Sequence, residues 1–330
     1  MKSFRMTLPS TVAEASKQLP TSTGDRSAAL LAGGQDLLTE MKEYLVEPES
    51  LVNLKSAQDP ELRGLSWAAD GALTIGALTT ITELEQDTRV AAELRVLSEA
   101  AASVASPQIR AVGTVGGNLN QRPRCWYYRN EHAVCLKKGG TECFSYYGKN
   151  RFNAILGGGP SYIVHPSDLA PALVALGAQI TLVSPTGARV ISLEDYYTLP
   201  DSGDVLTETN ARPNEILTQV RVPAPAPGMR STYLKFKERQ SYDWALASVA
   251  LVLWGSNDQI NDARLVLGGV APRPWRVPRA ENKLKGRAMD EDAIILARES
   301  ALEGAEPLSE NGFKVPLTKG LITRAFQRLI

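Results

Sequence analysis

Residues 32–36, Ala32-Gly33-Gly34-Gln35-Asp36 (AGGQD), follow a short apolar run, Ala28 to Ala32, and precede apolar residues at helical spacing, Leu37, Leu38 and Met41. A strand that ends in two glycines and runs into a helix start gathers backbone N–H groups at the positive end of the helix, which suits a phosphate. A plain strand–helix turn uses the same doublet, so this stretch alone does not choose. A second copy of the design adds weight: Thr114-Val115-Gly116-Gly117-Asn118 (TVGGN). A dinucleotide carries two phosphates and can use both turns. Neither turn is G-x-G-x-x-G, and no acidic residue stands at the Rossmann spacing, so a nicotinamide-type Rossmann domain is disfavoured.

Around the first turn the chain reads as helix, strand, glycine turn, helix, strand. Thr11 is the predicted N-cap of the first helix, with Glu14 as its capping-box partner, and Ser50 to Leu54 is the second strand. Beyond residue 60 the spacing predicts a hairpin (Leu65 to Trp67 with Leu73 to Ile75), a helix behind Thr79–Thr82 and one alanine-rich helix over Ala91–Ala105. Arg110 to Asn120 reads as a glycine-rich turn. A helix over Leu169–Leu176 lies between strands at Tyr162–Val164 and Gln179–Val183. Pro223 to Pro227 (PAPAP) is the best linker. Strands at Ser231–Lys237, Ala247–Trp254 and Ile260–Gly269 follow, then helices near Asp290–Leu302 and Thr318–Ile330.

Thirty-six basic residues balance thirty-six acidic ones, so no basic footprint invites nucleic acid or an anionic membrane. No apolar run reaches transmembrane length. The first residues show no export signal, and the expected compartment is the cytoplasm, or the periplasm if a signal-bearing partner carries the chain. Three cysteines make no disulfide framework. They stand at Cys125, Cys135 and Cys143, inside residues 121–162, which lack any helical or strand period and are rich in Arg, Lys, Tyr and Gly. Thiolates at irregular loop spacing, beside Gly139-Gly140 and several cations, suit an iron–sulfur cluster better than a compact zinc knuckle. His132 reads as a loop residue of this segment.

AGGQDLLTEMK, SPQIRAVGTVGGNL, VHPSDLAPALVALGA and LGGVAPRPWR, in this order, resemble the FAD-binding medium subunit of the xanthine dehydrogenase and molybdenum hydroxylase family. The insert QRPRCWYYRN…CLKKGG…C places the resemblance nearest the medium subunits of periplasmic aldehyde oxidoreductases. The implied fold is α+β: a two-part FAD-binding domain of the PCMH/vanillyl-alcohol-oxidase type, and a C-terminal α+β domain with a three-stranded sheet and helices. The implied parts are 1–57, 58–225 carrying the insert 121–162, and 226–330.

The resemblance implies FAD held by Ala32, Gly33, Gly34, Gln35, Asp36 and Leu37, and by Thr114, Val115, Gly116, Gly117 and Asn118. Asp168 matches a family residue that accepts flavin or adenosine hydroxyls, although a helix N-cap is its other reading. His165 shapes the flavin site, and Lys237 matches a family lysine near the flavin pyrimidine. Relatives with the insert supply a fourth cysteine where this chain has Ser161. That leaves three outcomes: a [4Fe–4S] cluster with Ser161 as a weaker oxygen ligand, a [3Fe–4S] cluster on three thiolates, or no cluster. Arg122, Arg124, Arg129, Lys137 and Lys138 would offset a cluster's charge.

The implied function is electron transfer within a heterotrimer, which can itself be dimerised. A large molybdenum-cofactor subunit oxidises an aldehyde or heterocycle, a small subunit with two [2Fe–2S] centres relays the electrons, and FAD here hands them to an external acceptor. Two other readings compete: a self-contained flavin oxidase or reductase, disfavoured by the lack of a substrate base, and a non-redox scaffold with decayed sites, disfavoured by the intact glycine turns.

Overall fold

The computed structural model describes residues 1–256 and 259–329. Its first part comprises β1 (Arg5–Thr7), α1 (Val12–Lys17), β2 (Ala28–Leu31), α2 (Leu37–Lys42) and β3 (Ser50–Asn53). β3 lies between β1 and β2 and runs parallel to both. Thr11 caps α1, its side chain accepting from the Glu14 amide at 3.1 Å. Glu14 does not close the expected box, because its carboxylate takes the Ser10 N–H and hydroxyl, each at 2.8 Å.

The second part contains β4 (Leu65–Trp67), β5 (Leu73–Gly76), α3 (Ile81–Gln86), α4 (Thr88–Glu93), α5 (Arg95–Ser103), α6 (Pro107–Val112), α7 (Val115–Leu119), α8 (Leu169–Ala175), β6 (Gln179–Ser184), β7 (Gly187–Ser192), α9 (Leu193–Tyr196) and β8 (Ile216–Val222). Its strands form one antiparallel sheet in the order β4-β5-β8-β6-β7. Three local expectations change. The alanine-rich helix is two helices, broken at the buried Leu94, whose φ of −128° and ψ of 51° leave the helical region. The stretch read as one glycine turn, Arg110–Asn120, holds the second half of α6 and all of α7, because Ser106 and Thr114 each cap a helix with a side-chain oxygen. Tyr162–Val164 joins no sheet; the Tyr162 carbonyl accepts from the Ala154 amide instead.

The third part comprises β9 (Met229–Phe236), β10 (Ala247–Ser256), β11 (Gln259–Gly268), β12 (Trp275–Arg276), α10 (Pro278–Leu284), α11 (Glu291–Ala301) and α12 (Lys314–Gln327). The expected three-stranded sheet gains the two-residue β12 as a fourth strand, in the order β12-β11-β10-β9, all antiparallel. α12 begins before the predicted Thr318, and its predicted end, Ile330, lies outside the described residues.

The unbroken apolar run of β10 has a physical cause. Val249, Leu251 and Leu253 face a core built with α10, α11 and α12. Ala250 and Val252 face the core shared with α5 and α8. A strand covered on both faces has no solvent side to make polar. A third core joins Val12, Ala15 and Val52 of the first part to Leu62, Leu78 and Ile216 of the second. Among the described residues no helix is long and apolar enough to cross a membrane.

Candidate cofactor site

The two glycine turns meet. Gly34 has φ +72°, a left-handed conformation that favours glycine. Gly33 backs directly onto the second turn: a Cβ there would lie 2.6 Å from the Val112 carbonyl oxygen. A Cβ on Gly116 would meet the Ala77 Cβ at 2.9 Å. The two turns differ in what they offer a ligand. The amides of Gly33, Gly34, Gln35, Asp36 and Leu37 donate to no acceptor among the described residues. In the second turn Val115 donates to the Thr79 carbonyl, Gly116 to the Ala77 carbonyl, Gly117 to the Thr114 hydroxyl and Asn118 to the Thr114 carbonyl. The first turn therefore presents donors, and the second presents bare backbone that lets a ligand come close.

Both turns face a cavity of about 580 Å³, within the range of cofactor sites. Ala32, Gly33, Gly34, Gln35, Asp36, Leu37, Thr114, Gly117, Asn118 and Asp168 line it; Val115, Gly116, His165 and Lys237 do not. Further walls come from Lys235 at the end of β9, from Tyr242 and Trp244 between β9 and β10, and from Arg122, Arg124 and Arg129 of the insert. All three parts and the insert thus contribute.

Asp36 occupies the N-cap position of α2 but does not cap it. Its carboxylate instead accepts the Arg122 amide at 2.6 Å, the Arg124 guanidinium, and Arg129 Nη2 at 2.8 Å. Burial opposes the charge, but Arg124 and Arg129 outweigh it and hold this carboxyl below the ordinary range. One turn on, Glu40 accepts the Tyr128 hydroxyl at 2.8 Å; burial and then the Asp36 charge raise its carboxyl. Arg122 and the buried Lys137 both pair with Glu208 at 2.8 Å, and Lys138 donates to the Asn130 carbonyl. The insert cations expected to offset a cluster mostly have carboxylate partners here, in the cavity wall and at Glu208.

Asp168 is buried and makes no side-chain cap. Ser167 caps α8 instead, accepting from the Ala170 amide at 3.0 Å. Asp168 accepts the Tyr233 hydroxyl at 2.8 Å and Lys235 Nζ at 2.7 Å. The cavity lysine is Lys235. Lys237 lies one residue past the end of β9 and donates to the Ser241 carbonyl at 2.6 Å. The Tyr233-x-Lys235 alternation, which puts both side chains on one face of β9 toward Asp168, is the sequence signal that marks Lys235. His165 is buried and stacks edge-on against Tyr197, with centroids 4.6 Å apart. Burial drives its imidazole down to about 4, so it sits neutral behind the cavity wall. His132 is exposed beside Glu131.

Cys125, Cys135, Cys143 and Ser161 come together around a hole of about 10 Å³. Burial raises the Cys125 and Cys135 thiols. Among the described residues no three His, Cys, Asp or Glu side chains converge on a single-ion point. A cluster differs, because each ligand binds its own iron. Three thiols and a hydroxyl are a donor set of the iron–sulfur kind, and the irregular insert leaves their loops free of any sheet ladder.

The fold and this cavity are those of a flavoprotein subunit. Residues 2–225 match the family described as the FAD binding domain in molybdopterin dehydrogenase, and residues 231–329 match the CO dehydrogenase flavoprotein C-terminal domain. The chain belongs to this family: it is an FAD-binding subunit of the molybdenum hydroxylase type, and its relatives are oxidoreductase subunits. It is 34% identical over 322 residues to the aldehyde oxidoreductase FAD-binding subunit PaoB of Escherichia coli, covering 97% of this chain and 96% of that subunit. It is 30% identical to the carbon monoxide dehydrogenase medium chain of Hydrogenophaga pseudoflava, over 93% of this chain and 88% of that one. The crystal structure of Cu,Mo-CO dehydrogenase in its cyanide-inactivated form contains a chain that superposes with a TM-score of 0.77 at 28% identity, over 99% and 98% of the two chains.

Proposed function

We propose that the chain relays electrons, taking them from iron–sulfur centres of a small partner subunit and delivering them to an external acceptor, on behalf of a large molybdenum-cofactor subunit. The carrying observation is the cavity at the meeting of the glycine turns, with five amides in one turn that find no acceptor among the described residues and bare glycine backbone in the other. The names of relatives, "medium chain" and "FAD-binding subunit", support a multi-chain enzyme. FAD supplies the chemistry of a carrier that takes electrons singly and releases them in pairs. The first glycine turn would hold its diphosphate through N–H donors, with Arg124 and Arg129 adding positive charge. The Asp168–Lys235 pair would present a carboxylate and an ammonium to polar groups of the flavin end. Trp244, which lines the cavity, stacks against Arg124, 4.9 Å from the guanidinium to the ring centroid.

The finer proposal is an iron–sulfur cluster in the insert, on Cys125, Cys135 and Cys143 with Ser161 as the fourth donor. Support comes from the four side chains facing one hole. The compartment follows the partners: cytoplasm, or periplasm with an exported partner.

The test is a UV–visible spectrum of the chain purified anaerobically with its partner subunits, before and after dithionite, alongside iron and sulfide analysis. A flavin doublet over a broad bleachable background, with iron beyond that of the small subunit, supports both proposals. Flavin with no excess iron removes the cluster and keeps the relay. A chain unable to take up added FAD overturns the relay.

A further inference from the structure

Asn153 lies at the end of the insert and is 2% exposed. Its amide nitrogen donates to the Tyr162 carbonyl at 2.9 Å and to Cys125 Sγ at 3.7 Å, which uses both of its hydrogens. Its own side-chain oxygen is buried without a partner among the described residues. The residue is held from the opposite side by the C-terminal part. The Asn153 carbonyl accepts Asn311 Nδ2 at 3.2 Å and Lys314 Nζ at 3.0 Å. Lys314 also donates to the Phe152 and Gly269 carbonyls, at 2.9 and 2.8 Å. Asn150 adds a second tie, accepting the Glu310 amide at 2.8 Å and donating to Ser309 Oγ at 3.0 Å. A buried carbonyl anchor on one side and an N–H aimed at a cysteine sulfur on the other form a built contact, not a surface coincidence.

We infer that Asn153 is a positioning residue for the insert's metal centre: its side-chain N–H donates to Cys125 Sγ, sets the reduction potential of the cluster and, through Asn311 and Lys314, couples that potential to the C-terminal part. This rests on the cluster reading above. The physical reason is charge. A hydrogen bond to a ligating thiolate withdraws electron density from the sulfur and favours the reduced, more negative cluster. Of the described side chains, only Asn153 and Ser145 make hydrogen bonds to the cysteine sulfurs, and the Ser145 hydroxyl contact to Cys143 Sγ at 3.0 Å is free to run in either direction. Asn153 has no acceptor role open to it at Cys125, so its effect has one sign.

The experiment compares the assembled complex carrying wild-type chain with the Asn153→Leu variant. The midpoint potentials of cluster and flavin are followed together by EPR-monitored redox titration. The expected result is a cluster that is harder to reduce, with the reduced-to-oxidised ratio at fixed potential falling about tenfold, equivalent to about 59 mV for one electron, and a flavin midpoint that does not move. A cluster midpoint unchanged in an iron-loaded variant overturns the inference while leaving the cluster reading intact. An iron-free wild type overturns both, and iron analysis tells the two failures apart. If Asn153→Leu assembles no cluster, the wild type labelled with 15N-asparagine decides. Hyperfine coupling of the reduced cluster to that nitrogen in pulsed EPR supports the contact, and its absence overturns it.

Discussion

Asp36, at the close of the first glycine turn, and Arg129, 93 positions later in the cysteine-bearing insert, form an ion pair of 2.8 Å in the wall of the cavity between the glycine turns. Neither side chain is free for bulk water: they are 17% and 12% exposed. The insert is therefore part of the cavity wall.

Removing the carboxylate leaves Arg124 and Arg129 facing each other. Breaking one side of a buried pair costs about 3–5 kcal/mol, and the partial exposure here places Asp36→Ala near the lower end, at about 3 kcal/mol. Urea denaturation of the variant should show that loss. A double-mutant cycle with Arg129→Met should return a coupling of more than 1 kcal/mol, and additive losses would contradict the pairing.

The glycine turns separate binding from folding. Gly33→Ala drives a Cβ onto the Val112 carbonyl, so both apo stability and FAD affinity should fall, the affinity by tenfold or more. In Gly117→Ala the new Cβ meets only the Thr114 hydroxyl, at 3.0 Å within the chain, and it lines the cavity. Apo melting should then stay within about 3 °C of wild type, while flavin-fluorescence titration shows weakened binding. Equal FAD affinity in Gly117→Ala would move the cofactor away from the second turn.

Asp168 and Lys235 have side chains only 6% and 3% exposed. Asp168→Ala strands a buried ammonium and should destabilise by about 3–5 kcal/mol. Lys235→Met in the same background should restore part of the loss, because the orphan charge is gone. A stability unaffected by Asp168→Ala would rule out the pair as drawn.

His165 supplies a pH dependence with a definite sign. Burial lowers its folded-state value to about 4, below the unfolded 6.5. The unfolded chain therefore takes up the proton first. The stabilisation is complete above pH 6.5 and declines as the pH falls towards 4, by about 3 kcal/mol in all. The urea midpoint of wild type should fall more steeply than that of His165→Asn across this window; parallel slopes would exclude a buried neutral imidazole.

Much of the fold was legible because its signals are local. The glycine doublets, the Thr11 cap and the unbroken apolar run of β10 each state a backbone or burial requirement in a few neighbouring residues. The family motifs, spread along the chain, tied these pieces together. The site was legible at its glycines and at Asp168, and less so at its charges. Arg124 and Arg129 were expected to balance a cluster, yet they meet Asp36, because a guanidinium pairs with whichever carboxylate the fold brings within reach. The motif points to Lys237. The end of β9 at Phe236 decided otherwise, since strand alternation carries Lys235 inward with Tyr233 and ceases before Lys237.

By itself, then, the sequence determined the strand–turn–helix units, the two glycine turns, the three thiols with a serine in the fourth place, and the family. Only the tertiary structure decided that the first turn keeps its amides free while the second has them bonded, that the insert's arginines close the cavity wall, and that Asn153 reaches Cys125. The reason is that a turn's shape follows from its own residues, whereas a hydrogen-bond or ion-pair partner is assigned by distance in space. Asp36 and Arg129 or Asn153 and Cys125 are far apart along the chain and adjacent only once it has folded.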